Sequence, residues 1–359
     1  MKKILVDINH PAHVHLFKYF IQEMKNRGND VMVTAKNVDS ITSLLALYNI
    51  EFTGTGRKQD HMLGKYIFEF FHLLKVLRIV LRHRIDYGVG ISMVLPIVSK
   101  LTAMKSIALD DDDLAATPLF GKFTSYANVI LNPSALAHED RGEQRICHPS
   151  YHELAYLHPN RFRPDEDVLT QIGLTARDPF FVLRFNAFKA HHDAGVRGLT
   201  LSQKLDIIEF LKPFGRVLIT TERTIEPELK PYQLPVSPEK IHTLLYYATL
   251  FVGDSQTMTT EAALLGTPAV KLNSFAGRLA IPNEIERTYK LCYSYQPQDF
   301  DAMMQTIKEL VLHDDIKSVW RARKEVMLRD KVDLTTFLTT LVSGYPQSIM
   351  KANVDVACR

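Results

Sequence analysis

Residues 251–273 read FVGDSQTMTTEAALLGTPAVKLN. An apolar run, Leu244 to Val252, leads into this stretch and supplies a buried strand. Gly253-Asp254-Ser255 then makes a short turn that ends in a helix cap. The helix runs on through Thr257 to Leu265, with Met258, Ala262 and Leu265 on one side. Gly266-Thr267-Pro268 stops it, because glycine accepts the left-handed cap and proline cannot extend the ladder. Ala269 to Leu272 begins the next strand. A strand, a capped turn and a helix whose first N–H groups are free form an anion site suited to a diphosphate, with Asp254, Ser255, Gln256 and Thr257 around it. Glu261, about a turn and a half along that helix, is placed to meet a ribose beside the phosphate. An ordinary well-capped strand–helix crossover would read the same way.

Composition sets the outer limits. The chain has 359 residues, 46% hydrophobic and 23% charged, which fits a globular protein of about two domains. A formal charge of +3 neither demands nor excludes an anionic ligand, and no nucleic-acid partner is expected. Cys147, Cys292 and Cys358 have no metal-type or redox spacing, and an odd count argues against a disulfide framework. Met1-Lys2-Lys3 leads straight into a strand, and nothing reaches the roughly 18 apolar residues of a membrane span. A cytoplasmic protein, associated at most with the inner face of the membrane, is the expectation.

Outward from the central stretch, the rest of the chain repeats its rhythm. Lys3 to Ile8, Asp30 to Ala35, Tyr87 to Ile91, Ser106 to Leu109 and Ala127 to Leu131 read as strands with helices between them, the pattern of a parallel sheet. Ligands of such sheets sit beyond the carboxyl ends of the strands. The loop DINHPAH after the first strand is therefore a place for chemistry, and it holds Asp7, His10 and His13, with His15 just inside the helix. Three histidines in six residues are a pattern that metals use. Without cysteine or a tight carboxylate cluster beside them, a general base at His13 or His10 is the better reading, and capping and packing of the helix start is the alternative. Asp110 to Asp113 follow a later strand end, and Asp110 and Asp112 are candidates for base, sugar-hydroxyl acceptor or ligand of a divalent ion. Cys147 to Pro164 is read as the interdomain linker, with His152, Glu153 and Tyr156 either turned toward the site or placed there by packing alone. In the second half, Phe180 to Phe185 is a strand and the loop NAFKAHHDAG, residues 186–195, follows it. Arg184, Lys189 and His191 are candidate anion partners there, and a polar surface loop would read the same way.

Residues 61–84, HMLGKYIFEFFHLLKVLRIVLRHR, form a long helix with Ile67, Phe70, Phe71, Leu74, Leu77 and Leu81 on a dense apolar surface. Glu69 is its only acid. The first reading is a sheet-covering helix with a basic outer edge; the second is a helix resting on anionic lipid. Phe300 to Leu312 and Ile316 to Arg329 are further helices, the last a candidate to cross back to the first domain. The boundaries read from this pass are 1–165, 166–345 and a tail at 346–359.

GDSQTMTTEAALLGTPAV, residues 253–270, resembles the nucleotide-binding segment of the non-hydrolysing UDP-N-acetylglucosamine 2-epimerases and, more loosely, of GT-B glycosyltransferases. With DINHPAHVHLFK (7–18) and LRFNAFKAHHDAG (183–195), the chain from Ile4 to about Thr340 resembles domain-of-unknown-function family 354, encoded in surface-polysaccharide gene clusters. The resemblance implies a GT-B-like α/β fold, two doubly wound Rossmann-type domains facing across a cleft. It implies a diphosphate held at Ser255, a ribose at Glu261 and a phosphate contact at Arg278. AHVHLF (12–17) is similar to a first-loop run in GT-B enzymes that build cell-wall lipid precursors, which points to His13 as the base. The epimerase pattern is departed from in several places. Gln256-Thr257 replace a glycine pair, a catalytic Glu falls roughly at Asp110, a catalytic Asp falls near Ser92, a loop Arg falls near His10, and a second Glu has no counterpart. The expectation is a glycosyltransferase of glycan biosynthesis, with a UDP-sugar donor, a saccharide or lipid-linked acceptor and no tightly bound cofactor or metal. A 2-epimerase or related hydrolase is the alternative, and a non-catalytic nucleotide-sugar-binding protein a third.

Overall fold

The computed structural model describes residues 1–56, 62–185, 198–221 and 225–348, the side chains of 62–66 and 238 excepted. The chain divides into two units, Met1–Arg161 with the segment from Val332 onward, and Phe162–Lys331.

In the first unit the order is β1 (Lys3–Ile8), α1 (Pro11–Asn26), β2 (Asp30–Ala35), α2 (Asp39–Leu47), β3 (Thr53–Gly54), α3 (Met62–His83) and β4 (Tyr87–Gly90). It continues with α4 (Val94–Leu101), β5 (Lys105–Leu109), α5 (Pro118–Thr124), β6 (Val129–Pro133), β7 (Arg145–His148) and α6 (Leu154–Leu157). The strands form one sheet in the order β3-β2-β1-β4-β5-β6-β7, and every pair is parallel. Strand order reverses between β1 and β4, where the loops after these strands diverge to opposite faces and leave room for a ligand. Continuous apolar runs explain why the strands are buried on both faces: Ile4, Leu5, Val6 and Ile8 are wholly enclosed. β7 corrects the linker reading, since Cys147 and His148 close the sheet as its seventh strand. Only Ile146 and Cys147 are apolar in that edge strand, too few to register as periodicity.

The second unit has α7 (Asp167–Thr170), β8 (Phe180–Arg184), α8 (Leu201–Leu211), β9 (Arg216–Thr220), α9 (Ile241–Tyr247), β10 (Leu250–Gly253) and α10 (Gln256–Leu265). After these come β11 (Ala269–Leu272), α11 (Ala280–Arg287), β12 (Cys292–Tyr295), α12 (Phe300–Val311) and α13 (Ile316–Asp330). The sheet order is β12-β11-β10-β8-β9, again all parallel. Its order reverses between β8 and β10, so the turn after Gly253 stands at the switch point.

The last helix, α14 (Leu334–Gly344), belongs to the first unit. Leu334, Leu338, Leu341 and Val342 are buried, and the helix packs on α1 and α6. Thr335 donates to the Ala155 carbonyl at 2.8 Å, and Arg161 holds Asp333 at 2.7 Å. The helix that returns is therefore α14; α13 stays in the second unit against α10, with Trp320 buried and donating to the Leu291 carbonyl at 2.8 Å.

Candidate functional site

At the carboxyl end of the first sheet, Asp7 is fully buried and saturated with donors. Ser92 Oγ lies at 2.6 Å, Thr34 Oγ1 and Asn9 Nδ2 at 2.8 Å, and His72 Nε2 at 3.2 Å. Burial would raise its pKa, but the His72 charge and these donors outweigh it and hold the carboxyl well below the usual range. Glu69 meets the other nitrogen of His72 at 3.4 Å and Lys36 at 2.8 Å, so a chain of alternating charge ties α3 to β1. Burial alone would lower the His72 pKa; Asp7 and Glu69 bring it up to about 9. Sequence reading missed His72. Its only signal is the row Phe68, His72, Val76, Val80, one residue per turn on the buried side, hidden by apolar residues all round the helix.

The first-loop histidines have different tasks. His10 is the N-cap of α1, its Nδ1 accepting from the Ala12 N–H at 3.2 Å. His13 Nδ1 accepts from the Asn9 N–H at 3.3 Å. Burial, then the neighbouring charges of His10 and His152, push the His13 pKa down to about 3. A neutral His13 with Nδ1 occupied as acceptor carries its proton on Nε2, so it presents a donor and not a base. His15 packs away from the loop, 5.4 Å from the Tyr156 ring and with its Nδ1 3.3 Å from the Tyr48 hydroxyl.

Of the acidic run, Asp110 is buried and bound by Arg141 at 2.5 Å, which also bonds Glu139 and the Asp112 carbonyl. Asp112 reaches solvent; partial desolvation, then the charges of Asp111 and Asp110, push its carboxyl up to about 6. Asp111, which the sequence did not single out, holds His152 Nδ1 at 3.0 Å. His152 is buried, and its Nε2 has no partner among the described residues. Burial would lower its pKa, but Asp111 raises it above the ordinary imidazole value. A carboxylate that fixes one imidazole nitrogen leaves the other as a proton acceptor of set direction. A buried unpaired nitrogen is costly, which favours a site kept for an incoming group. His13 feels the charges of both His152 and Asp111, so the three lie together.

In the second unit, a Cβ on Gly253 would lie 2.3 Å from the Arg184 carbonyl oxygen, so only glycine fits beside β8 here. Asp254 N–H donates to that carbonyl at 3.1 Å, and both Arg184 and Asp254 are buried. Ser255 caps α10, accepting from the Met258 N–H at 3.4 Å, while Gly266 ends the helix at φ 84°. The N–H groups of Gln256 and Thr257 have no carbonyl a turn behind them in the helix, and they face the switch point. Gln256 Oε1 takes Lys271 Nζ at 2.5 Å, and burial lowers that lysine's pKa. Glu261 is buried and meets His242 Nε2 of α9 at 3.0 Å. Neither Lys271 nor His242 was read from sequence; a lysine inside the run Ala269–Leu272 was the available signal for the first. Arg278 is exposed, on the loop after β11. Lys189 and His191 lie outside the described residues.

Among the described residues, one group has metal-ligand spacing: Asp113, His138 and Glu139. Glu139 there already accepts from Arg141 and from the Leu114 N–H at 2.8 Å. The first-loop histidines are not in it.

The family described as protein of unknown function (DUF354) matches residues 2–334, nearly the whole chain. The chain belongs to this family. None of the curated proteins matches this DUF354 chain by sequence. Solved structures do. One is a UDP-N-acetylglucosamine 2-epimerase with TM-score 0.64 and 14% identity, covering 89% of this chain and 90% of that one. The S. aureus MnaA–UDP co-structure gives 0.66 and 11%, covering 98% of each chain. The spinosyn forosaminyltransferase SpnP gives 0.63 and 13%, covering 95% and 99%. Identities this low establish the fold, and it is the GT-B-like one: two doubly wound α/β units, as in these epimerases and transferases.

Proposed function

We propose that this DUF354 protein is a glycosyltransferase that takes a nucleotide-sugar donor, with UDP as the nucleotide. Donor binding is assigned to the second unit. The N–H groups of Gln256 and Thr257 and the positive end of α10 meet the diphosphate, Arg278 adds a cation, and Glu261 meets the ribose. A neighbour solved with UDP supports a nucleotide diphosphate as the ligand class.

The observation that carries transfer is the Asp111–His152 pair, whose buried Nε2 has no hydrogen-bond partner among the described residues. In the proposed step the acceptor hydroxyl gives its proton to His152 Nε2 and its oxygen attacks the anomeric carbon. The nucleoside diphosphate departs with the bonding pair. His13 contributes an N–H donor. Epimerisation is the second reading, favoured by Asp112, whose carboxyl at about 6 can hold and release a proton near neutrality. Against it, Ser92 stands where the epimerase resemblance implies a catalytic Asp, and Asp110, where it implies a catalytic Glu, is bound by Arg141.

A thermal-shift screen of nucleotides and UDP-sugars, followed by turnover, tests the reading. UDP and a UDP-sugar should raise the melting temperature of wild type, and Glu261→Ala should weaken that effect. Donor should be consumed only with a saccharide or lipid-linked acceptor present. Isomerisation without acceptor would establish the epimerase instead, tight binding with no turnover a carrier, and no shift with any nucleotide would sink all three.

A further inference from the structure

The outer face of α3 is neither core nor ordinary surface. Ile67, Phe70, Phe71, Leu74 and Leu81 are 49%, 57%, 61%, 44% and 60% exposed. They account for five of the fifteen large apolar side chains exposed among the described residues, and they form one stripe instead of scattered points. At helical spacing the stripe spans roughly 100°. Phe70 and Phe71 support one another edge to face, with ring centroids 6.0 Å apart. The buried side of the same helix, Phe68, His72, Val76 and Val80, already satisfies the sheet, so the outer stripe is surplus to folding.

Charge completes the pattern. Lys75, Arg78 and Arg82 are exposed within or along one edge of the stripe, and Arg84 follows the helix. The helix's one acid, Glu69, is turned to Lys36 and His72. The outer face is therefore apolar and cationic with no acidic residue. No helix among the described residues is long and apolar enough to cross a membrane.

We propose that this face of α3 docks on an anionic membrane surface, with the two phenylalanines and the aliphatic residues set below the headgroups and Arg78 and Arg82 against lipid phosphates. Amphipathic area supplies the binding, and cations on a face free of acids select negative lipid over neutral. The inference stands apart from the donor reading, because docking requires no nucleotide.

Vesicle flotation without nucleotide tests it. Wild type should float with phosphatidylcholine–phosphatidylglycerol vesicles, remain behind with phosphatidylcholine alone, and release as salt shortens the screening length. Phe70→Ser/Phe71→Ser should abolish flotation. Arg78→Gln/Arg82→Gln should weaken it by roughly 5-fold for each charge removed. All four side chains are exposed, so both variants should melt like wild type. Failure of wild type to float with anionic vesicles, or flotation of the phenylalanine variant at the wild-type level, overturns the proposal. So does sedimentation showing a wild-type dimer that the phenylalanine variant loses while neither binds vesicles, which would assign the face to a second copy.

Discussion

Asp111 and His152 show how one hydrogen bond separates histidines that look alike in sequence. His13 is held neutral by burial and by an N–H aimed at Nδ1; His152 is given a carboxylate there instead. The consequence is testable at the scale of one residue. His152→Ala should cut turnover by about 10² to 10⁴, the usual worth of a general base. Asp111→Asn removes the charge that raises the His152 pKa. The rising limb of the pH–rate profile should then move to lower pH, while the donor-induced thermal shift is kept. A limb that stays in place would remove Asp111 from the mechanism.

The element scale belongs to α3. One face carries His72 between Asp7 and Glu69, and the opposite face carries the exposed apolar stripe. His72 has a folded pKa of about 9 against an ordinary 6.5. Its stabilisation is therefore full below the unfolded value and is lost as pH rises through about 9. Asp7 is depressed, so its contribution is present above the unfolded carboxylate value and fades in acid. Unfolding free energy should fall between pH 6.5 and 9 in wild type and lose that slope in His72→Asn. His72→Ala, which strands a buried carboxylate, should cost about 3–5 kcal/mol by denaturant titration. An unchanged slope in the Asn variant would mean that the pair is not ionic.

For the whole molecule, α14 decides which unit the carboxyl end supports. Ending the chain at Lys331 would strip four buried aliphatic side chains from α1 and α6, on the order of 6 kcal/mol at about 1.5 kcal/mol each. The first unit should then melt early in calorimetry while the nucleotide response of the second persists. Loss of the nucleotide response first would contradict that division.

Parallel strands, capped helices and the Gly253–Ser255 turn were legible in order, because each follows from local periodicity and from glycine or proline chemistry. Periodicity placed Ser255 at a helix start and Asp7 and His13 at a strand end. It did not place β7, which has only two apolar residues, or α14, whose partners lie far away in sequence. Nor could it choose among charged neighbours: Asp110 and Asp111 are adjacent, yet one meets Arg141 and the other His152. His72, His242 and Lys271 took their roles from partners distant in sequence. Local order is written in the chain because backbone sterics and side-chain spacing act over a few residues. Charge pairing, tautomer and the exposed side of α3 were decided only by the tertiary structure, since burial and electrostatic partners exist only once distant segments are packed together.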